Sequence, residues 1–123
     1  IQPQDLEQQT LITYPVDPQR LDVFKHFLDP ADIDPGEVRT SELTVMIMQL
    51  VASGRGVSAM PNWAIHQYIE QDYITSRPLG DKGDRRTLYA AIREDQKDAD
   101  FMVDFLKTAK EITFGNLSGI KSA

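Results

Sequence analysis

The residues able to do chemistry are few and far apart in this sequence. Two histidines, His26 and His66, each fall within a stretch of helical spacing with no second ligand beside them, and the chain has no cysteine. Zinc and thiolate chemistry therefore lack a donor set, and both histidines read as surface residues. Ser53 and Ser58 lack the glycine–serine–glycine elbow that exposes a nucleophile on a sharp strand-to-helix turn. Gly54-Arg55-Gly56 has glycines spaced as in a phosphate loop, but it runs from a helix into a strand. A phosphate cradle must lie between a strand and the helix whose N-terminus meets the anion. Glu94 and Asp95 adjoin each other within a charged run after Arg93, which suits solvated surface better than an acid/base pair. No catalytic residue, metal site or cofactor site is read from these patterns, which leaves binding as the chemistry to explain.

The elements that would position a binding site centre on 38–65. Val38 to Thr40 is a short strand, and Ser41 is expected to cap the helix that runs to Ser53. Leu43, Met46, Ile47, Leu50 and Val51 recur at helical spacing, while Val45, Met48 and Ala52 make the other side apolar, so this helix is expected to be covered nearly all round. Gly54 fits the left-handed position past a helix end, and Gly56 turns the chain into Val57-Ser58-Ala59-Met60, expected as a buried strand. Pro61 then suits a first helical turn. Upstream, Gln2 to Glu7 is a helical turn, Leu11-Ile12-Thr13 a strand, and Asp17-Pro18 the start of a helix whose face carries Leu21, Phe24, Phe27 and Leu28 until Pro30. Downstream, Ala64, Ile65, Tyr68 and Ile69 share a helix face, followed by a strand over Ile74 to Pro78 and a turn over Gly80 to Asp84. Thr87 to Arg93 reads as an interior strand. From an Asp98 cap, Phe101, Met102, Phe105, Leu106, Ala109 and Ile112 form a broad apolar stripe ending at Gly115.

Strands alternating with helices imply an α/β fold with an open, mainly parallel sheet flanked by helices. In such a sheet the strand-to-helix turns Thr13–Asp17, Thr40–Leu43 and Met60–Asn62 fall on one edge. Their helix starts favour an anion, most simply the carboxylate of a small ligand.

Composition narrows the partners. A net charge of −6 over 123 residues offers no basic stripe for a phosphate backbone, so any contact with DNA must lie in another segment. Hydrophobic residues at 41% against 26% charged are those of a globular domain rather than a disordered or membrane chain. The chain opens on Ile1 without a targeting segment, and is expected to be a mature or cut piece.

The run Val51-Ala52-Ser53-Gly54-Arg55-Gly56-Val57-Ser58-Ala59-Met60-Pro61 after an aliphatic helix resembles the effector-binding domain of LysR-type transcriptional regulators. Asp5-Leu6 before Leu11-Ile12-Thr13-Tyr14-Pro15, and Leu88-Tyr89-Ala90-Ala91-Ile92-Arg93 before an amphipathic last helix, fall where that family has comparable segments. The resemblance covers essentially the whole chain. It implies one subdomain of a fold like the type 2 periplasmic binding proteins: 1–10 a connector, 11–79 the second effector-binding subdomain, 80–97 the return strand and crossing, 98–115 a helix of the first subdomain, and 116–123 a loose tail. By position it assigns Thr13, Tyr14, Pro15, Ser41, Glu42, Met60 and Pro61 to the effector wall, with core packing as the plainer role of Met60. It assigns Leu21, Phe24, Phe27, Leu28 and Val38 to an interface between two copies, with core packing the equal alternative for the phenylalanines. Thr13 to Asp17, Arg20 to Phe24 and Pro61-Asn62-Trp63 look most like the subgroup that regulates methionine biosynthesis and responds to homocysteine. The implied protein is cytoplasmic, a homodimer or higher oligomer, binds an amino-acid-like effector, touches no membrane and meets DNA through a separate N-terminal domain. A lobe of a periplasmic solute-binding protein and a lobe of a prephenate-dehydratase-like enzyme share the architecture and are the alternatives. The last helix, whose stripe needs cover, is expected to pack on another copy or to fold back.

Overall fold

The structure, a computed structural model, describes residues 1–121. Its centre is the strand β1 (Thr10–Thr13), paired in parallel with β2 (Glu37–Thr40) in the register Leu11 to Val38 and Thr13 to Thr40. On its other side β1 meets Val57, whose carbonyl accepts from the Ile12 amide at 2.8 Å and whose amide donates to the Thr10 carbonyl at 2.9 Å. Successive side chains of a strand face opposite ways, so Leu11 and Ile12 enter two separate apolar layers. Leu11 joins Leu6, Val23, Phe24 and Leu28 on one face. Ile12 joins Ile47, Met48, Ile65 and Ile74 on the other.

The expected run of strand over Val57 to Met60 reduces to a single bridge to Leu11. Ser58 explains the stop, because its hydroxyl donates to the Ile12 carbonyl at 2.7 Å and so takes the acceptor that a continued ladder would use. Gly56 makes the approach possible: at φ 152° it lies where a Cβ would meet the Thr10 carbonyl and the Ile12 side chain.

The helices differ from expectation in instructive ways. Helix α1 (Thr44–Ala52) starts after Leu43, which carries no side-chain cap. Ser41 does not cap it; its amide donates to the Thr13 carbonyl at 2.9 Å and extends the β1–β2 pairing instead. Nor is α1 covered all round: Ile47 and Met48 are buried, while Leu43, Val45 and Met46 stay exposed. Its end is as expected, with Gly54 at φ 70° and the amides of Gly54 and Arg55 returning to the carbonyls of Val51 and Leu50. The helix expected after Asp17 breaks into a 3-10 turn (Pro18–Arg20), a π-helical turn (Val23–Leu28) and another 3-10 turn (Asp29–Ala31). The wider π turn brings Val23 over Leu28, so both reach the sheet together with Phe24.

Helix α2 (Asn62–Glu70) has Pro61 just outside its first turn, and α3 (Asp100–Asn116) follows Ala99 rather than an Asp98 cap. Ile74 to Pro78 and Thr87 to Arg93 form no ladder. A strand exists only where a neighbour takes its backbone groups, and among the described strands none lies beside either run. The expected interior strand over Thr87 to Arg93 is therefore corrected: Leu88 is 75% and Tyr89 82% exposed. The tail expected from residue 116 begins within α3, and its last two residues lie outside the described ones. The expected connector over 1–10 is well anchored. Leu6 is buried, Thr10 belongs to β1, and Ile1 pairs with the return segment through Pro78 and Gly80.

Burial separates two aliphatic residues on the same helix. Ile47→Ala should lower the unfolding free energy in urea by about 2–5 kcal/mol, since the neighbours cannot collapse into the space. Val45→Ala, on the exposed side, should change it by less than about 0.5 kcal/mol.

Candidate functional site

Two parallel strands ending side by side bring their following turns together. Thr13, last in β1, is 7% exposed, and the Ser41 amide on its carbonyl ties the two turns into one edge. Tyr14 leaves β1 half-buried, its ring on the layer that holds Ile12 and Ile47, and its hydroxyl bonds the Thr44 hydroxyl at 2.6 Å. That bond joins the end of β1 to the first turn of α1. Pro15 and Glu42 flank the pair in solvent, and Met60 packs half-buried in the same layer as Tyr14, leading to exposed Pro61. The core role considered for Met60 is thus met, without removing it from the edge.

The three helix starts expected here are not equivalent. At the first, the Asp17 carboxylate accepts from the Gln19 amide at 2.9 Å, and the helix is only a 3-10 turn. Its anion position is filled by its own chain. At the start of α2, Asn62 accepts from the Trp63 amide at 3.0 Å. Neither α2 nor α1 has a side-chain bond at its N-cap, and at α1 no side-chain acceptor meets the first-turn amides, which keep their share of the helix dipole. A negative group is favoured there, beside the Tyr14–Thr44 pair. Thr44 was not legible as a site residue, because a cap assigned to Ser41 places the first turn too early.

These residues form an open wall rather than a pocket. Two concavities of the described surface lie elsewhere. One of about 470 Å³ runs between α2 and Asn116 to Ser118, and one of about 370 Å³ lies by Val57 and Ile74. The two histidines also lie away from the edge, each beside an acidic residue one helical turn off, His26 with Asp22 and His66 with Glu70.

The expected interface residues divide by burial. Leu28 is fully buried and Phe24 8% exposed within the core of the single chain, which for Phe24 is the core alternative already given and for Leu28 departs from the expected interface role. Leu21 and Phe27 are half-buried against the same layer, and Val38 is 46% exposed on β2. Beside Val38, Glu37 takes hydrogen bonds from Arg39 at 3.0 Å and Thr10 at 3.1 Å, which hold its carboxyl below the usual range.

The family described as the LysR substrate binding domain matches residues 1–112. The regulatory domain of MetR, a LysR family regulator from N. meningitidis, superposes with a TM-score of 0.86 at 39% identity, over 99% of this chain and 56% of that one. The HTH-type transcriptional regulator MetR of Haemophilus influenzae is 38% identical over 117 residues, 95% of this chain and 38% of the relative. Its namesake in Escherichia coli is 34% identical over the full chain and again 38% of the relative. The chain thus spans 38% of the length of these curated relatives, which are named as transcriptional regulators and not as enzymes. Among the described residues no helix is long and apolar enough to cross a membrane.

Tyr14→Phe and Thr44→Val should each lower stability by about 0.5–1.5 kcal/mol, since each removes one partner of a half-buried bond. A double-mutant cycle in urea should show a combined loss smaller than the sum. Glu37 gives a pH signature. A carboxyl held below its unfolded value adds stability that is present above the unfolded pKa and lost as pH falls through the folded one. Glu37→Gln should therefore lower the melting temperature slightly at neutral pH, leave it nearly unchanged at pH values below the carboxylate range, and so flatten the acid limb of stability against pH, as read by thermal melts.

Proposed function

Because this chain belongs to the family of LysR substrate binding domains, we propose that it forms one wall of the effector cleft of a bacterial activator of methionine-biosynthesis genes, with homocysteine as the effector. The observation that carries this reading is the strand edge, where the uncapped start of α1, the Tyr14–Thr44 hydroxyl pair and the exposed carboxylate of Glu42 lie within a few residues of one another. An amino acid has both charges to satisfy. Its carboxylate suits the leading amides of α1, its ammonium suits Glu42, and an aliphatic thiol chain suits the side chain of Met60. Thr13, Pro15, Ser41 and Pro61 complete the wall, and the second wall belongs to the other subdomain of the regulatory domain. The likeness to two proteins named MetR and to a MetR regulatory domain supports the methionine assignment.

In this reading the protein works in the cytoplasm without catalysis, cofactor or membrane contact. DNA is met by an N-terminal domain outside this segment, in keeping with the acidic charge of −6. Two copies pair through Leu21, Phe27 and Val38.

Isothermal titration of homocysteine into the two-subdomain regulatory domain should show binding, with methionine and O-succinylhomoserine markedly weaker. Glu42→Gln should weaken homocysteine by about tenfold, or ~1.4 kcal/mol. Absence of binding, or equal affinity for all three compounds, would remove the effector assignment. Sedimentation of Val38→Asp at matched concentration should show a lighter species than the parent, and an unchanged mass would exclude the β2 face as the interface.

A further inference from the structure

Helix α3 has no buried residue along its length, and Phe101, Phe105 and Ile112 are each more than half exposed. What holds it is found at its end. Asn116 closes the helix by donating from Nδ2 to the Ile112 carbonyl at 2.9 Å. The chain then makes a tight turn over Leu117 to Ile120, with Gly119 at φ 81°. A Cβ built on Gly119 would land on the side chain of Asn62, the first residue of α2. The turn therefore lies against the Asn62 side chain at the start of α2, and its positive φ at residue 119 is one that favours glycine. Beside that seat, Asn116, Leu117 and Ser118 face Trp63, His66 and Glu70 across the 470 Å³ groove.

We propose that the turn over 117–120 is a strap that fastens α3 to the N-terminus of α2. It makes α3, and whatever packs on its exposed stripe, move with the residues that follow Pro61. A helix held through its own packed face would not need such a fastening, whereas one with no buried side chain depends on it. The superposition with the N. meningitidis regulatory domain, at TM-score 0.86, covers 99% of this chain, α3 included. The strap stands apart from the identity of any effector, because it lies outside the wall formed by Tyr14, Glu42 and Thr44.

Trp63 is the only tryptophan of the chain and lines the groove, so it reports the strap directly. In Gly119→Val the turn should lift from Asn62. Trp63 emission should move to longer wavelength, acrylamide should quench it more strongly, and hydrogen exchange should quicken along the whole of α3 while β1 keeps its protection. Leu117→Asp, which sets a carboxylate beside Glu70 in the groove without touching the glycine, should do the same. Should Gly119→Val lose β1 protection through unfolding, Leu117→Asp decides alone. Unaltered Trp63 emission and quenching with β1 intact would overturn the strap. So would faster exchange confined to the turn with α3 unchanged.

Discussion

The burial of β1 on both faces is the constraint on which the remaining structure depends. Leu11 at 1% and Ile12 at 0% exposure stand next to each other in sequence yet anchor different layers. A strand buried on two sides must find cover on two sides. The π turn with Leu6 supplies one cover, and α1 with α2 the other. Slipping β1 by one residue would turn Leu11 toward the layer that holds Ile12 and Ile12 toward the layer that holds Leu11, so the register is fixed by the fit of this apolar pair to its two layers. Fixing the register also fixes the edge, because Thr13 and Thr40 end level and their next residues must turn side by side.

In the proposed reading that edge suits a ligand because much of its geometry is set by backbone hydrogen bonds. The Ser41 amide on Thr13 and the Tyr14 hydroxyl on Thr44 leave the first turn of α1 little freedom. A ligand meeting those amides then pays little to order them, which is the general route to affinity in a small site. The difference between the Asp17 and Leu43 starts follows the same logic. A carboxylate three atoms from its own backbone occupies the anion position at the first, and leucine offers nothing at the second.

Much of this was legible in the sequence, and what was not has physical causes. Leu11-Ile12-Thr13 and Val38 to Thr40 were readable because β-branched runs bounded by turn residues have few other uses. Gly54 was readable because only glycine relaxes at its backbone angle. The start of α1 was misplaced because Ser41 is a good cap residue in isolation, and its amide had a stronger competing use in the sheet. The run over Thr87 to Arg93 has the alternation of an interior strand, but alternation states only that partners are wanted and cannot supply them. The π turn was unreadable since its spacing mixes the signals of a helix and of a break, and Phe24 and Leu28 could be assigned to core or interface equally from their type alone. Thr44 as the partner of Tyr14 joins residues distant in sequence, and no local pattern carries such a pair.

The same contrast of burial divides the chain into unequal halves. Both apolar layers draw their buried members from Leu6 to Ile74, whereas Leu88 through α3 contributes none. Apolar burial supplies roughly 25 cal/mol per Å², so the folding free energy resides in the first part and the last part is carried by it. Leu88, Tyr89, Phe101, Phe105 and Ile112 remain exposed beyond what a solvated surface requires. Such residues gain by being covered, and a body that covers them is thereby coupled to α3. Since the turn after α3 lies against the Asn62 side chain, the path proposed from that surface back to the sheet edge is short, running through one turn and the start of α2.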